Sequence, residues 1–112
     1  MEMLARLKCE AVRKGDASLT TSEITELQPQ VAGWELVEVE GIKRLRREYA
    51  FKDFQGALAF TNQVGEVSEE EDHHPALLTE WGKVTVTWWT HVIKGLHKND
   101  FIMAAKTDAL YR

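Results

Sequence analysis

Cysteine, proline and long apolar runs are scarce in this sequence of 112 residues. Cys9 is the only cysteine, so the chain cannot form an intramolecular disulfide, and a lone thiol fits a reducing compartment. No apolar run is long enough for the hydrophobic part of a secretion signal or for a membrane span. We therefore expect a soluble, cytoplasmic protein that makes no membrane contact.

Positive charge is also in short supply, since the formal net charge is −4. Binding to nucleic acid depends on clustered lysines and arginines that neutralise phosphates. The densest basic cluster, KRLRR at residues 43–47, lies in an alternating segment and is typical of one solvated strand face. The composition therefore argues against direct nucleic-acid binding.

Hydrophobic residues make up 44% of the chain, which is enough for one small core. Residues 1–19 show no periodicity and are predicted to form a loosely ordered N-terminal arm. Residues 20–112 are predicted to form a single domain. It begins with a helix that Thr21 or Ser22 caps and that Pro29 interrupts.

Two strand pairs are indicated by alternating apolar residues on either side of turn residues. The first, WELVEVEGIKRLRREYAF, turns at Glu40 and Gly41, and the second joins HPALLTEW to KVTVTWWTHV near Gly82. Valines alternate with threonines in the last segment. If that strand continues, His91 lies on the threonine face with Trp89, away from the aliphatic core.

Helices are predicted before, between and after these strand pairs. The middle helix carries Phe54, Leu58 and Val64 on one apolar track, and Asn99 or Asp100 is the expected cap of the last helix. Tight hairpins imply antiparallel pairing. The predicted fold class is therefore α+β, a four-stranded antiparallel sheet with about three helices packed on one face.

The stretch EEEDHHP, residues 69–75, is the strongest candidate for a site. Adjacent histidines on an extended chain point to opposite sides, and one cysteine cannot complete a structural zinc site, so a metal centre is disfavoured. No serine lies in a G-x-S-x-G turn. General acid/base catalysis by His73 and His74 fits best, because imidazole both donates and accepts protons near neutral pH. A structural role for any one histidine remains equally open, and His97 is interpreted as a surface residue.

The spacing of these residues resembles the signature of the pterin-4a-carbinolamine dehydratase family. The pattern E-x3-H-H-P-x5-W-x9-H-x8-D is met by Glu69, His73, His74, Pro75, Trp81, His91 and Asp100. The segment FKDFQGALAFTNQVGEVSEE also resembles the family. The resemblance covers about residues 20–110, and within the family the sequence is most similar to the bacterial members.

The resemblance implies a lyase that removes water from the 4a-hydroxytetrahydrobiopterin carbinolamine and so recycles the pterin cofactor of a hydroxylase such as phenylalanine hydroxylase. It implies the same fold, neither metal nor organic cofactor, and a homodimer or homotetramer. Some animal members bind a homeodomain transcription factor. The alternative is therefore a protein-binding or regulatory module that resembles a transcriptional coactivator. A metal-dependent hydrolase that uses His and Glu side chains is a third hypothesis.

The resemblance also implies roles for single residues. His73, His74 and His91 form the acid/base set, with His74 and His91 as the proton carriers nearest to C4a and His73 as a pterin contact or alternate acid. Glu69 orients a histidine or contacts the pterin, and Asp100 anchors a histidine or the substrate's amide edge. Two tryptophans offer apolar walls for a flat ring, Trp81 and Trp34, although a core position is equally open for Trp81. Pro75 completes the signature.

Overall fold

Strands and helices follow one another in the order that the sequence patterns predict. The computed structural model describes residues 3–112. It contains α1 (Thr21–Leu27), β1 (Glu35–Val39), β2 (Ile42–Ala50), α2 (Phe54–Glu71), β3 (Ala76–Glu80), β4 (Lys83–Trp88) and α3 (Lys98–Leu110), with 3₁₀ turns at Leu4–Arg6, Gln28–Val31 and His91–Ile93. Within these residues no helix is both long and apolar enough to cross a membrane.

Local sequence fixes both ends of α1. The Thr20 hydroxyl accepts a hydrogen bond from the Glu23 N–H, and the Glu23 carboxylate accepts one from the Thr20 N–H at 2.8 Å. This capping box moves the cap to Thr20, one residue before the predicted Thr21. Pro29 follows in the 3₁₀ turn, so the α-helix ends at Leu27, as its position predicts.

Two tight hairpins build the sheet. Glu40 and Gly41 both have positive φ angles, 53° and 76°, which is the turn geometry that matches the twist of two paired strands. Gly82, also with a φ of 76°, lies in the second hairpin turn. The strands pair antiparallel in the order β1-β2-β4-β3, so β1 and β3 are the edges. The predicted α+β fold with one four-stranded antiparallel sheet is confirmed.

One face of the sheet carries the core. Five of its side chains are no more than 2% exposed, namely Leu45 and Tyr49 on β2 and Val84, Val86 and Trp88 on β4. They lie beneath α2 and α3. The burial of every second residue of β4 is the arrangement that the VTVTW alternation predicts.

The middle helix, α2, buries a different face from the one predicted. Ala57, Phe60 and Val64 are buried, whereas Phe54 and Leu58 are 45% and 44% exposed. Of the predicted track only Val64 lies in the core. Aromatic rings from outside the helix select this face, because the centre of the Phe60 ring lies about 5 Å from the ring centres of two of them.

Residues 4–10 contact α3, whereas the sequence predicts a loosely ordered arm over residues 1–19. Leu4 is 2% exposed within the core, and the Lys106 ammonium group donates to the Ala5 carbonyl at 2.9 Å. Such contacts use single apolar residues and backbone groups, which leave no periodic pattern in a sequence. Residues 1 and 2 of the predicted arm lie outside the described part of the chain.

Candidate active site

The three histidines of the signature line one cavity of about 450 Å³. His73 and His74 follow the end of α2, and His91 begins the turn after β4. Other walls come from three places, the N-terminal residues 9–12, the last turn of α2 and the start of α3. The volume suits a small-molecule ligand.

The end of α2 directs the two adjacent histidines apart. Asp72 takes the left-handed conformation with a φ of 51°, and its N–H bonds to the Glu69 carbonyl while the His73 N–H bonds to the Ser68 carbonyl. This pair of bonds is a Schellman motif, in which an aspartate replaces the usual glycine. The sharp turn leaves His73 only 8% exposed, whereas about half of the His74 side chain faces solvent.

His73 is held by a buried carboxylate on α3. Its Nε2 lies 2.7 Å from Oδ1 of Asp100, which is 0% exposed. The other oxygen of Asp100 accepts hydrogen bonds from the Thr90 hydroxyl at 2.8 Å and from the His97 backbone N–H at 2.9 Å. The His73 ring also stacks on Trp88, with 10° between the two planes. The ring orientation is therefore fixed from two sides.

This contact also decides which His73 nitrogen is available. An ionised carboxylate only accepts hydrogen bonds, so neutral His73 donates its Nε2–H to Asp100. Nδ1 is then the nitrogen without a proton, free to accept one. The contact with Asp100 therefore fixes both the tautomer and the orientation of the His73 ring.

His74 has a carboxylate partner of its own at the protein surface. Its Nε2 makes a short contact with Oε2 of Glu69, and more than half of each side chain is exposed. The contact links the last helical turn to the residue that follows it. Glu69 therefore contacts a histidine directly, and its role in orienting that ring stays a prediction.

His91 lies in a 3₁₀ turn, because β4 ends at Trp88 instead of continuing as the sequence indicates. Its ring nevertheless lies beside Trp89, with the ring centroids 4.4 Å apart. The Arg44 guanidinium sits 4.0 Å from the centre of the same indole. The sequence predicts Trp89 on the same face as His91 but gives no sign of Arg44, whose guanidinium stacks on the Trp89 indole.

Two tryptophans that were predicted as walls for a flat ring lie away from this cavity. Trp81 is 73% exposed at the β3–β4 turn, where no wall of the cavity reaches it. Trp34 is buried, and its indole N–H donates to Asp108 at 3.0 Å. Pro75 links His74 to β3 and does not line the cavity. The structure therefore brings together five predicted residues, Glu69, His73, His74, His91 and Asp100.

Side-chain contacts correct the prediction for His97 and bring in Glu71, which the sequence does not single out. His97 was interpreted as a surface residue, but its Nδ1 accepts the Asn99 N–H at 2.9 Å and so caps α3 in place of the predicted Asn99 or Asp100. Glu71 belongs to an acidic run that is typical of solvated helix ends. Its carboxylate instead accepts the Cys9 N–H at 2.7 Å at the cavity wall. Contacts between distant segments give no local sequence signal.

A family model described as "Pterin 4 alpha carbinolamine dehydratase" matches residues 17–110. The chain belongs to this dehydratase family. The three histidines at the cavity and the two carboxylates that bind them are all signature positions within the matched range. The fold and the site geometry therefore belong to a pterin carbinolamine dehydratase family member.

Relatives with known sequences match across the whole chain. A protein of Microcystis aeruginosa with the provisional name pterin-4-alpha-carbinolamine dehydratase is 60% identical over 112 residues, which is 100% of this chain and 97% of that protein. A protein of Nitrosococcus oceani with the same provisional name is 55% identical, covering 100% of this chain and 99% of that protein. Both matches include residues 1–16, which precede the match to the dehydratase family model.

Solved structures share the fold. The crystal structure of a transcriptional coactivator/pterin dehydratase from Brucella melitensis has a TM-score of 0.77 and 34% sequence identity, covering 86% of this chain and 100% of that one. A pterin dehydratase-like protein identified as a RuBisCO assembly factor in the α-carboxysome has a TM-score of 0.58, covering 70% of this chain and 88% of its own. At 23% identity, that second likeness shows the fold alone.

Proposed function

We propose that this chain dehydrates 4a-hydroxytetrahydrobiopterin, or a closely related pterin carbinolamine, to the quinonoid dihydropterin. Family membership supports a pterin substrate. The observation that carries the proposal is the meeting of His73, His74 and His91 at one cavity, with carboxylates bound to two of them. Histidines paired with carboxylates are suited to proton transfer near neutral pH.

The reaction needs two proton transfers at neighbouring atoms. An acid donates a proton to the 4a-hydroxyl oxygen as the C4a–O bond breaks, and the bonding electrons leave with the oxygen as water. A base removes the N5 proton, and the electrons of the N5–H bond form the C4a=N5 double bond. One proton is given and one is taken, so the histidine set returns to its starting state after the base passes its proton on.

We assign His74 and His91 as the proton carriers nearest to C4a. Both are exposed at the cavity and therefore accessible to a substrate. We assign His73 as a pterin contact and alternate acid or base, because its buried ring is fixed by Asp100. Metal and organic cofactors have no part in this proposal.

We further propose that the product is recycled to serve an aromatic amino-acid hydroxylase such as phenylalanine hydroxylase, in the cytoplasm. A homodimer or homotetramer is expected. The unpaired outer edges of β1 and β3 within the described residues would be protected by pairing with another copy.

The proposal is tested by following the loss of 4a-hydroxytetrahydrobiopterin, generated by a hydroxylase, with purified protein in excess EDTA. The wild-type chain should accelerate the decay with the chelator present. His74→Ala and His91→Ala should each lower the rate by about 10²- to 10⁴-fold, the usual contribution of a positioned acid or base. Full rates in both variants would show that the acid/base assignment is wrong.

Glu69 and its neighbour give a matched pair for the same assay. Glu69→Gln removes the charge that orients His74, so the rate should fall by about tenfold. Glu70 is exposed and no contact to a signature histidine is recorded for it within residues 3–112, so Glu70→Gln should keep the wild-type rate. Equal effects of the two variants would mean that Glu69 acts only through net charge.

A regulatory, protein-binding role is the second candidate function. The exposed Phe54 and Leu58 lie one helical turn apart on α2 and offer an apolar contact for a partner protein. The Brucella melitensis protein is described as both a transcriptional coactivator and a pterin dehydratase. Comparing hydroxylase expression in a deletion strain and in a His74→Ala, His91→Ala strain separates the roles. Regulation through binding should survive the double substitution and be lost on deletion.

A further inference from the structure

Residues 9–12 of the N-terminal segment form a wall of the cavity that holds the histidines. They precede the range matched by the dehydratase family model, and they contribute no acid or base to the proposed reaction. Their position is nevertheless specific, because they touch both the end of α2 and the start of α3.

A buried amide clamps the segment to α3. The Glu10 N–H donates to Oδ1 of Asn99 at 3.0 Å, and Nδ2 of Asn99 donates to the Glu10 carbonyl at 2.7 Å. Asn99 is 1% exposed, so these two bonds satisfy an amide that would otherwise be buried without partners. The Asn99 side chain therefore pairs with both the N–H and the C=O of Glu10, as the backbone of a neighbouring β-strand would.

A second anchor joins the segment to the end of α2. The Cys9 N–H donates to the Glu71 carboxylate at 2.7 Å, and the Cys9 thiol lies 3.9 Å from the Asn99 carbonyl. Glu71 is the last residue of α2, two residues before His73, and Asn99 adjoins Asp100. The wall is therefore attached to the same two elements that position the buried histidine and its carboxylate.

The next two residues have unused hydrogen-bonding capacity. Ala11 and Val12 line the cavity, and no hydrogen bond to their backbone N–H or C=O groups is recorded among residues 3–112. The 2-amino-4-oxo edge of a pterin presents donors and acceptors side by side. A stretch of unpaired backbone presents the complementary donors and acceptors.

We propose that residues 9–12 are a substrate-binding wall, in which the backbone of Ala11 and Val12 binds the polar edge of the pterin and Asn99 is the positioning residue that holds them. This inference rests on the proposed function and deepens it. It separates substrate binding by the N-terminal segment from proton transfer by the histidines. Detaching the segment should therefore raise KM and leave kcat nearly unchanged.

Cys9 provides a built-in reporter for the test, since it is the only cysteine. Burial, followed by the charge of nearby Glu71, raises the pKa of the Cys9 thiol to about 12. Thiolate is therefore scarce near neutral pH, and N-ethylmaleimide should react slowly while the segment is docked. Bound 7,8-dihydrobiopterin should slow the reaction further, because it holds the wall in place.

The test compares Asn99→Ala with Lys106→Ala. Asn99→Ala removes both bonds to Glu10, so Cys9 should be labelled faster, and KM for the carbinolamine should rise about tenfold with kcat within about twofold. Lys106→Ala removes the bond to Ala5, at the far end of the segment, and a positive charge near Cys9, and it should leave KM unchanged. Labelling is followed by mass spectrometry, and dihydrobiopterin binding by calorimetry.

The two readouts keep this inference distinct from the proposed function. If dihydrobiopterin binds normally but does not change the labelling rate of Cys9, the substrate-binding wall is overturned. A wild-type KM in the Asn99→Ala variant would overturn it as well. Both outcomes leave the dehydratase proposal standing. No dihydrobiopterin binding, together with no dehydratase activity, would overturn the proposed function and the inference with it.

Discussion

Two aspartates on α3, Asp100 and Asp108, each accept hydrogen bonds from three groups, yet only Asp100 binds a histidine that lines the cavity. The Asp100 partners include His73, whose other nitrogen is free to exchange a proton. The Asp108 partners are the Trp34 indole, the Arg47 guanidinium at 2.8 Å and the Tyr49 hydroxyl. None of these three exchanges a proton readily near neutral pH.

The comparison shows how one helix contributes both to the site and to the scaffold. At its first turn α3 places a carboxylate behind a histidine that borders a cavity. At its last turn the helix uses a carboxylate to join α3 to β2 and to Trp34. A carboxylate surrounded by donors therefore points to a functional site when one of the donors is an imidazole that lines a cavity.

The largest expected effect follows from Asp100→Asn. The amide keeps the size of the side chain but turns one oxygen acceptor into a donor, so it no longer holds the His73 ring in the same tautomer and orientation. We expect the dehydratase rate to fall by about 10²-fold or more, measured with saturating carbinolamine. Circular dichroism should confirm that the variant is folded. A rate close to wild type would remove the distinction between the two aspartates.

Asp108→Asn should have the opposite profile. Three donors lose their charged acceptor, so the free energy of unfolding should fall by about 1–3 kcal/mol, measured by urea denaturation. The dehydratase rate of the folded variant should stay within about twofold of wild type, because the cavity histidines do not touch Asp108. A large loss of rate without a loss of stability would contradict its scaffold role.

The smallest expected effect is on the free energy of unfolding at alkaline pH. Burial and the hydrogen bond to Asp108 raise the pKa of Tyr49 above its usual value of 10.0. A raised pKa means that the folded state holds the Tyr49 proton more tightly than the unfolded state does. The contribution of the Tyr49 hydroxyl to the free energy of unfolding is therefore complete below pH 10.0 and is lost as the pH rises further. Tyr49→Phe should flatten this loss in urea denaturations at alkaline pH. If the free energy of unfolding fell with the same slope above pH 10.0 in the wild type and in Tyr49→Phe, the stabilising role of the Tyr49 hydroxyl would be contradicted.

The fold was largely predictable because its signals are local. Pro29 ends α1, Gly41 and Gly82 mark the hairpin turns, and the alternation from Val84 to Trp88 identifies the buried face of β4. Each of these signals depends on residues within one element. The buried face of α2 was not predictable in the same way, since the aromatic rings of other elements select Phe60 over Phe54.

The adjacent histidines indicated one part of the site, but the rest of it was predictable only through the spacing of the family signature. His73 and Asp100 are 27 residues apart, and no local pattern pairs them. Signature spacing also placed Trp81 among the site residues, but spacing does not encode direction, and the β3–β4 turn carries this side chain outward. Asn99 and the N-terminal wall were missed because their contacts join the two ends of the chain through backbone groups.

The most direct measurement is the rate of 4a-hydroxytetrahydrobiopterin loss in excess EDTA, for the wild-type chain and for a variant with His73, His74 and His91 all replaced by alanine. Acid/base catalysis by these histidines predicts decay well above the uncatalysed rate with the wild type and decay at the uncatalysed rate with the triple variant. A wild-type chain that does not accelerate the decay, or a folded triple variant that keeps the wild-type rate, would contradict it.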